Sequence, residues 1–193
     1  MSNPDPGKIV ILVAPSGSGK TTMARLLLRD FGKLRFSISA TTRPAREGEK
    51  HGVDYYFLSH RDFQDKIDSG EFLEWEEFYN GNRYGTLRSA VEDLRRRGFN
   101  VLLDIEVLGA SNIKKMYGEE ALAIFLKPPS MAVLAERLKG RGAESVPMLK
   151  TRLKRAEEEL AFAGEFDRLV VNDDLETAYR QIKETVEEFI QET

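Results

Sequence analysis

The segment Ala14 to Thr21 reads APSGSGKT and combines small residues with one lysine. It has the spacing G-x-x-x-x-G-K-[ST] of a phosphate-binding loop, except that alanine takes the first position. Backbone N–H groups and a helix start would surround ATP phosphates, with Lys20 on the β- and γ-phosphates and the Thr21 hydroxyl on Mg²⁺. The alternative is a turn that only links a strand to a helix. The predicted ATP-binding residues here are Ala14, Pro15, Ser16, Gly17, Ser18, Gly19, Lys20, Thr21 and Thr22.

A second segment, TTRPAREGEKHGVDYY at 41–56, offers groups that suit another anion. Arg43 and Arg46 carry forked donors that match phosphate oxygens, and Tyr55 adds a phenol. A charged surface loop is the alternative interpretation. A GTPase needs no second anion site, whereas a kinase that acts on a phosphorylated acceptor does.

The elements that must hold these loops alternate along the chain. KIVILVA at 8–14 is a short apolar run, typical of a strand that is buried on both faces, and a helix pattern follows from Lys20 to Phe31. The alternation predicts an α/β fold with a parallel sheet and helices on both faces. Further strands are predicted at 100–105, 121–126 and 168–172, and amphipathic helices at 86–97, 130–138, 147–162 and 174–191.

Two segments interrupt this alternation. Residues 34–85 contain short strand-like pieces broken by Gly and Asn, which indicates a small mixed insertion. Residues 128–156 open with PPS and are strongly basic.

Composition limits the class of protein. The chain has 193 residues, 41% of them hydrophobic, which is enough for one core with small inserted subdomains. Its 29 basic and 32 acidic residues give a net charge of −3, which indicates no general attraction to nucleic acid. It has no cysteine, and no apolar run approaches the ~20 residues of a membrane span. We expect a soluble, cytoplasmic protein with no nucleic-acid or membrane partner; the sequence leaves its oligomeric state open.

A family resemblance rests on longer motifs in the same order. These are APSGSGKTT, FSISATTRPAREGEKHGVDYYF, GEFLEWEEF, NRYGT, VLLDIE, PPS, RLKGRG and VVNDDL. Over residues 7–189 the chain resembles the guanylate kinases. The resemblance implies a P-loop NTPase-type core (7–33, 86–127 and 157–189), an inserted mixed α/β GMP-binding subdomain (34–85) and a helical lid (128–156). It also implies transfer of the ATP γ-phosphoryl group to GMP or dGMP, with Mg²⁺.

The same resemblance implies the acceptor residues. The arginines and tyrosines match contacts to the GMP phosphate. Glu74 and Thr86 match residues that read guanine: a carboxylate accepts from N1 and N2, and a hydroxyl donates to O6. The implied GMP-binding residues are Ser39, Arg43, Arg46, Tyr55, Glu74, Tyr84, Gly85, Thr86 and Glu106.

On the ATP side the resemblance implies that Arg137, Arg141 and Arg152 stabilise the transferring phosphoryl group together with Lys20. Asn172 matches a position near the adenine, although Asp173 or Asp174 could instead cap a helix there. Asp104 matches a residue that holds Mg²⁺ through water. Glu106 stands where the family usually has an aspartate, and its extra methylene leaves acceptor recognition open.

Two alternatives remain at this point. A non-catalytic guanylate-kinase-like module would hold a phosphopeptide in the same cleft, but it would not need the Lys20–Thr21 pair. A related kinase could phosphorylate a sugar phosphate, but the pair of guanine readers speaks against it.

Overall fold

Nine β-strands and seven α-helices occur in the described residues, which in this computed structural model are 5–78, 81–140 and 146–191. None of these helices combines the length and the apolar composition needed to cross a membrane. The strands are β1 Ile9–Val13, β2 Leu34–Phe36, β3 Ala40–Thr41, β4 Tyr56–Phe57, β5 Phe72–Glu77, β6 Arg83–Leu87, β7 Asn100–Asp104, β8 Ala121–Lys127 and β9 Arg168–Val171. The helices are α1 Lys20–Asp30, α2 His60–Asp68, α3 Arg88–Arg96, α4 Val107–Tyr117, α5 Met131–Lys139, α6 Val146–Leu160 and α7 Leu175–Gln191.

The chain divides into two units. The first contains Met1–Lys8 and Lys33–Val101, and the second contains Ile9–Gly32 and Leu102–Thr193. Strand β7 therefore begins in the first unit and ends in the second. The division into core, insertion and lid, which follows function rather than contacts, stays a prediction.

The second unit is built on parallel strands. β1 pairs with β8, and β8 pairs with β9, all in the parallel sense. Every residue of β1 is buried, as its continuous apolar sequence predicts. Helices α1 and α7 pack against each other, and the Tyr179 hydroxyl donates to the Asp30 carboxylate at 2.7 Å. The predicted α/β class with a parallel sheet is confirmed.

The first unit contains a separate four-stranded sheet in the order β4-β3-β6-β5. β6 runs antiparallel to both β3 and β5, while β3 and β4 are parallel. The sequence predicted a helix from residue 86, but the helix begins at Arg88 because residues 83–87 form β6. This sheet packs on α2 through a small apolar cluster of Ala40, Phe63, Phe72 and Leu87.

Replacing Phe63 by alanine should test this cluster. Phe63 is fully buried, and its ring stacks on Phe72 at a centroid distance of 4.4 Å. The loss of buried area and the cavity left behind should lower the free energy of unfolding by about 3–5 kcal/mol, measured by urea denaturation. The matched control is Phe36→Ala, because Phe36 is 38% exposed. Equal effects of the two substitutions would contradict the assigned core.

Candidate functional site

The loop that joins β1 to α1 adopts a backbone that only glycine tolerates at two positions. Gly17 has φ 93° and Gly19 has φ 97°, a region that disfavours side chains. A Cβ at Gly19 would lie 2.5 Å from Nδ2 of Asn172, and one at Gly17 would lie 3.0 Å from the Leu138 side chain. The loop therefore packs closely against Asn172 and Leu138. It ends at the first turn of α1, where backbone N–H groups are available to an anion.

Lys20 opens α1 and is held by the end of β7. Its Nζ lies 2.7 Å from Oδ1 of Asp104 and donates to the Ile105 carbonyl at 3.3 Å. Burial lowers the pKa of the Lys20 ammonium, but the carboxylates of Asp104, Glu106 and Glu159 outweigh burial and leave that pKa above its ordinary value. Lys20 is therefore a firmly charged cation beside the glycine loop.

Asn172 supports the loop from the end of β9. Its Nδ2 donates to the Ser18 carbonyl at 2.8 Å, and its own carbonyl accepts from Nη2 of Arg137 at 3.0 Å. Asn172 is 5% exposed, and its side-chain amide binds the loop itself in this structure.

Asp174 caps α7 by accepting from the Thr177 N–H at 2.8 Å, which matches the alternative capping role predicted for this segment.

Two of the predicted lid arginines lie on helices, Arg137 on α5 and Arg152 on α6. α5 and α6 pack through Leu134, Leu138 and Ala156. Arg152 is half-buried on α6. Arg141 lies outside the described residues.

An ionic cluster on α6 was not predicted from the sequence. Nε of Arg155 lies 2.7 Å from Oε1 of Glu159, and its Nη2 lies 3.3 Å from Oε2 of Glu106. Burial raises the pKa of Glu159 to about 7; the Arg155 hydrogen bond opposes this, and the nearby Glu106 carboxylate adds to it. The i, i+4 spacing of Arg155 and Glu159 on α6 was the one available sequence signal.

The donor set for a metal ion is small. Among the described residues no three His, Asp or Glu side chains gather closely enough to hold a metal on their own. Asp104 offers a carboxylate, and Thr21, exposed in the first turn of α1, offers a hydroxyl. Such hard oxygen ligands fit Mg²⁺ when nucleotide phosphates and water complete its coordination.

In the first unit, the Arg43 guanidinium binds the carboxylate of Glu49, a contact that was not predicted from the sequence. Its Nη1 and Nη2 donate to the two oxygens of Glu49 at 2.8 and 2.9 Å, and Nη1 also donates to the Pro44 carbonyl at 2.7 Å. Glu49 also accepts from the Arg46 N–H at 2.7 Å. The Arg43 hydrogen bonds, followed by the Arg46 N–H, lower the pKa of Glu49 to about 2.

Two aromatic rings lie close to the Arg43 guanidinium. The Arg43 guanidinium carbon lies 5.3 Å from the Tyr55 ring centroid and 5.7 Å from that of Phe57. Tyr55 and Tyr84 meet edge to face at 6.0 Å. Hydrogen bonding to Glu49, with a further contribution from Tyr84, holds the pKa of Arg43 above its ordinary value despite partial burial. Arg43, Tyr55 and Tyr84 thus form one group.

Glu74 and Thr86 face each other across β5 and β6. They are register partners, and the Thr86 hydroxyl donates to Oε1 of Glu74 at 2.6 Å. A hydroxyl has one proton, so Thr86 cannot also donate to a base while this bond persists. Tyr84 and Thr86 are two residues apart on β6 and project from the same face. A Cβ at Gly85 would lie 2.8 Å from the Phe72 ring, so glycine is required between them.

The remaining predicted residues have simpler positions. Ser39 is half-buried just before β3, and its carbonyl accepts from the Tyr56 N–H at 2.9 Å. Arg46 is exposed. Each unit thus assembles its own share of the predicted residues, and the assignment of each to a ligand remains a prediction.

Comparisons with known proteins agree on one family. The family model described as "Guanylate kinase" matches residues 6–189. The guanylate kinase of Bacteroides thetaiotaomicron is 50% identical over 95% of this chain and 90% of its own length. That of Chlorobaculum tepidum is 50% identical over 96% and 95%, respectively. The crystal structure of guanylate kinase from Anaplasma phagocytophilum aligns with a TM-score of 0.76 at 34% identity, covering 98% of this chain and 89% of that one.

The raised pKa of Glu159 predicts a pH effect on stability. Its pKa in the folded protein is about 7 against an ordinary 4.5, so its favourable contribution is complete below pH 4.5 and is lost as pH rises through 7. As pH rises from 4.5 to 8, the free energy of unfolding of Glu159→Gln should therefore increase relative to that of wild type, by about 3 kcal/mol at most. Urea unfolding at several pH values measures this. Glu158→Gln is the matched control, because that side chain is 64% exposed; equal pH profiles for the two variants would refute the assignment.

Proposed function

The chain belongs to the guanylate kinase family, and from that premise we propose which of its residues transfer the ATP γ-phosphoryl group to GMP. The chain is an enzyme, a nucleoside monophosphate kinase, and the products are ADP and GDP. Neither a phosphopeptide-binding module nor a sugar-phosphate kinase finds support among these relatives. The observation that carries our residue assignment is the charged Lys20 beside the glycine loop, 2.7 Å from Asp104.

On the donor side, the loop N–H groups hold the ATP phosphates and Lys20 binds the β- and γ-phosphate oxygens. Mg²⁺, held by Thr21 and through water by Asp104, would supply positive charge to the same oxygens. Arg137 and Arg152, and Arg141 outside the described residues, then neutralise charge that develops on the transferring phosphoryl group. Asn172 acts chiefly on the loop, because its amide is already bonded to Ser18.

On the acceptor side, Arg43 binds the GMP phosphate with Arg46, Tyr55 and Tyr84. Glu49 orients the Arg43 guanidinium and accepts hydrogen bonds from both of its Nη atoms. The phosphate must therefore either bind the remaining N–H donors of Arg43 or displace Glu49.

We assign guanine recognition to the Glu74–Thr86 pair, with Ser39 and Gly85 of the same unit; the predicted role of Glu106 as a GMP contact is a separate proposal. Glu74 accepts hydrogen bonds from N1 and N2 of the base. In the free protein the Thr86 hydroxyl donates to Glu74 and orients this carboxylate. To donate to O6 of the base, the Thr86 hydroxyl must rotate and give up its bond to Glu74. Adenine offers an acceptor at N1 and a donor at position 6, so it would leave these groups mismatched.

The chemistry requires no general base from the protein. A phosphate monoester with a second pKa near ~6 is mostly dianionic at neutral pH, so the attacking oxygen arrives without a proton. The protein therefore contributes positioning and electrostatic stabilisation.

Lys20→Ala should abolish turnover while the fold is retained. The substitution removes a preorganised cation from the transferring phosphate, and the loss of one such donor costs about 3–4 kcal/mol, or a factor of 10²–10³ in kcat. Coupled detection of ADP release from ATP and GMP measures the rate, and circular dichroism checks the fold. Turnover by a folded variant within about threefold of wild type would refute the assignment.

Arg43→Met should lower kcat/KM for GMP at least tenfold and leave ATP affinity nearly unchanged. The methionine keeps an apolar stem but loses the charge-assisted donors, which contribute about 1.5–3 kcal/mol. Arg46→Met should act similarly, and the double variant should be less impaired than the product of the two effects predicts because both residues hold one anion.

Arg61→Met is the matched control for these variants, because Arg61 is an exposed arginine of the same unit on α2. Unchanged GMP kinetics in the Arg43 variant, or an equal loss of ATP affinity, would show that this arginine does not hold the acceptor phosphate.

A further inference from the structure

Arg155 joins two carboxylates that come from different parts of the second unit. Glu159 lies one turn further along α6, and Glu106 precedes α4. The contacts are 2.7 Å to Glu159 and 3.3 Å to Glu106. The Glu159 side chain is 11% exposed and that of Arg155 is 23% exposed, so solvent screens this cluster only partly.

The orientation of the Glu106 carboxylate follows from this contact. Glu106 is the N-cap residue of α4, yet within the described residues its side chain accepts no capping hydrogen bond from that helix. The Lys20 Nζ donates at 3.3 Å to the Ile105 carbonyl, which belongs to the peptide bond that precedes Glu106, so the Glu106 backbone lies close to the Lys20 ammonium. A shorter aspartate would withdraw the carboxylate by about 1 Å or more, which would break a contact that is already 3.3 Å long.

Both carboxylates act on Lys20. The Glu106 and Glu159 charges help to raise the pKa of the Lys20 ammonium, although its ion-pair partner is Asp104. Without Arg155, the Glu106 carboxylate would lose its cation beside a loop that has to bind an anion, while the buried Glu159 would take up a proton more readily. The released Glu106 charge would compete for the ammonium and repel phosphate oxygens.

We propose that Arg155 is a positioning residue of the ATP site, which ties Glu106 and Glu159 to α6 so that Lys20 can meet the ATP phosphates. This inference rests on the proposed role of Lys20. Arg155 acts through the side chains of Glu106 and Glu159 rather than by binding either nucleotide.

Arg155→Met should weaken ATP affinity at least tenfold, measured by titration calorimetry with ATP alone, and should raise KM for ATP more than it lowers kcat. Arg155→Lys, which keeps the charge, should stay within about threefold of wild type. Adding Glu106→Gln to Arg155→Met should restore most of the ATP affinity, because an uncharged amide then replaces the released carboxylate. A role in helix packing alone predicts no such rescue.

Lys154→Met is the matched control, because Lys154 is the preceding residue of α6 and its side chain is 79% exposed. It should leave ATP affinity unchanged. The proposal is overturned if Arg155→Met binds ATP like wild type, if Lys154→Met is equally impaired, or if the Glu106→Gln addition fails to restore affinity.

Arg155→Met leaves the buried Glu159 without its cation, which can prevent folding. In that case Arg155→Met/Glu159→Gln replaces it as the starting variant, with the same Glu106→Gln rescue. The ATP titrations separate this inference from the function itself: wild-type protein that binds ATP but does not phosphorylate GMP would contradict the proposed function, while the Arg155 comparisons would still be decided.

Discussion

The ion pair between Lys20 and Asp104 is the constraint that holds the one lysine of the glycine loop in place. A lysine ammonium beside a glycine loop has to stay charged in order to bind phosphate, yet burial by itself favours the neutral amine. Asp104 at the end of β7 supplies the opposing charge, and β7 lies beside the fully buried strand β1 in the sheet. The position of the cation is therefore set by the sheet rather than by the loop alone.

Much of the second unit could be predicted because its strands are continuous apolar runs. β1, β7, β8 and β9 all lie within a residue or two of their predicted bounds. Helix α4 was missed because VLGASNIKKMY contains glycine, serine and asparagine and has a weak apolar period. Helix α2 was missed because it has nine residues and a single buried side chain, Phe63.

The candidate functional side chains differ in the same way: some have local sequence signatures, and others depend on contacts made only in the folded chain. Lys20 and Arg43 could be found from local spacing, since a phosphate loop and paired arginines have local sequence signatures. Glu49 lies within the same segment as Arg43, but nothing local shows which charged neighbour a guanidinium will choose. Glu106 and Arg155 are 49 positions apart, so their contact depends on how α6 packs in the folded chain.

The bidentate ion pair between Glu49 and Arg43 also affects which anions can bind that arginine. The carboxylate is tethered in the same chain, so its effective concentration at the guanidinium exceeds that of most dissolved ions. Chloride, acetate and other monoanions carry no more charge than the Glu49 carboxylate, so they have no electrostatic advantage over this internal occupant. A dianionic phosphate carries twice the charge and can also recruit neighbouring donors. If Arg43 holds the acceptor phosphate as proposed, this competition favours a nucleotide phosphate over the ordinary salts of its surroundings.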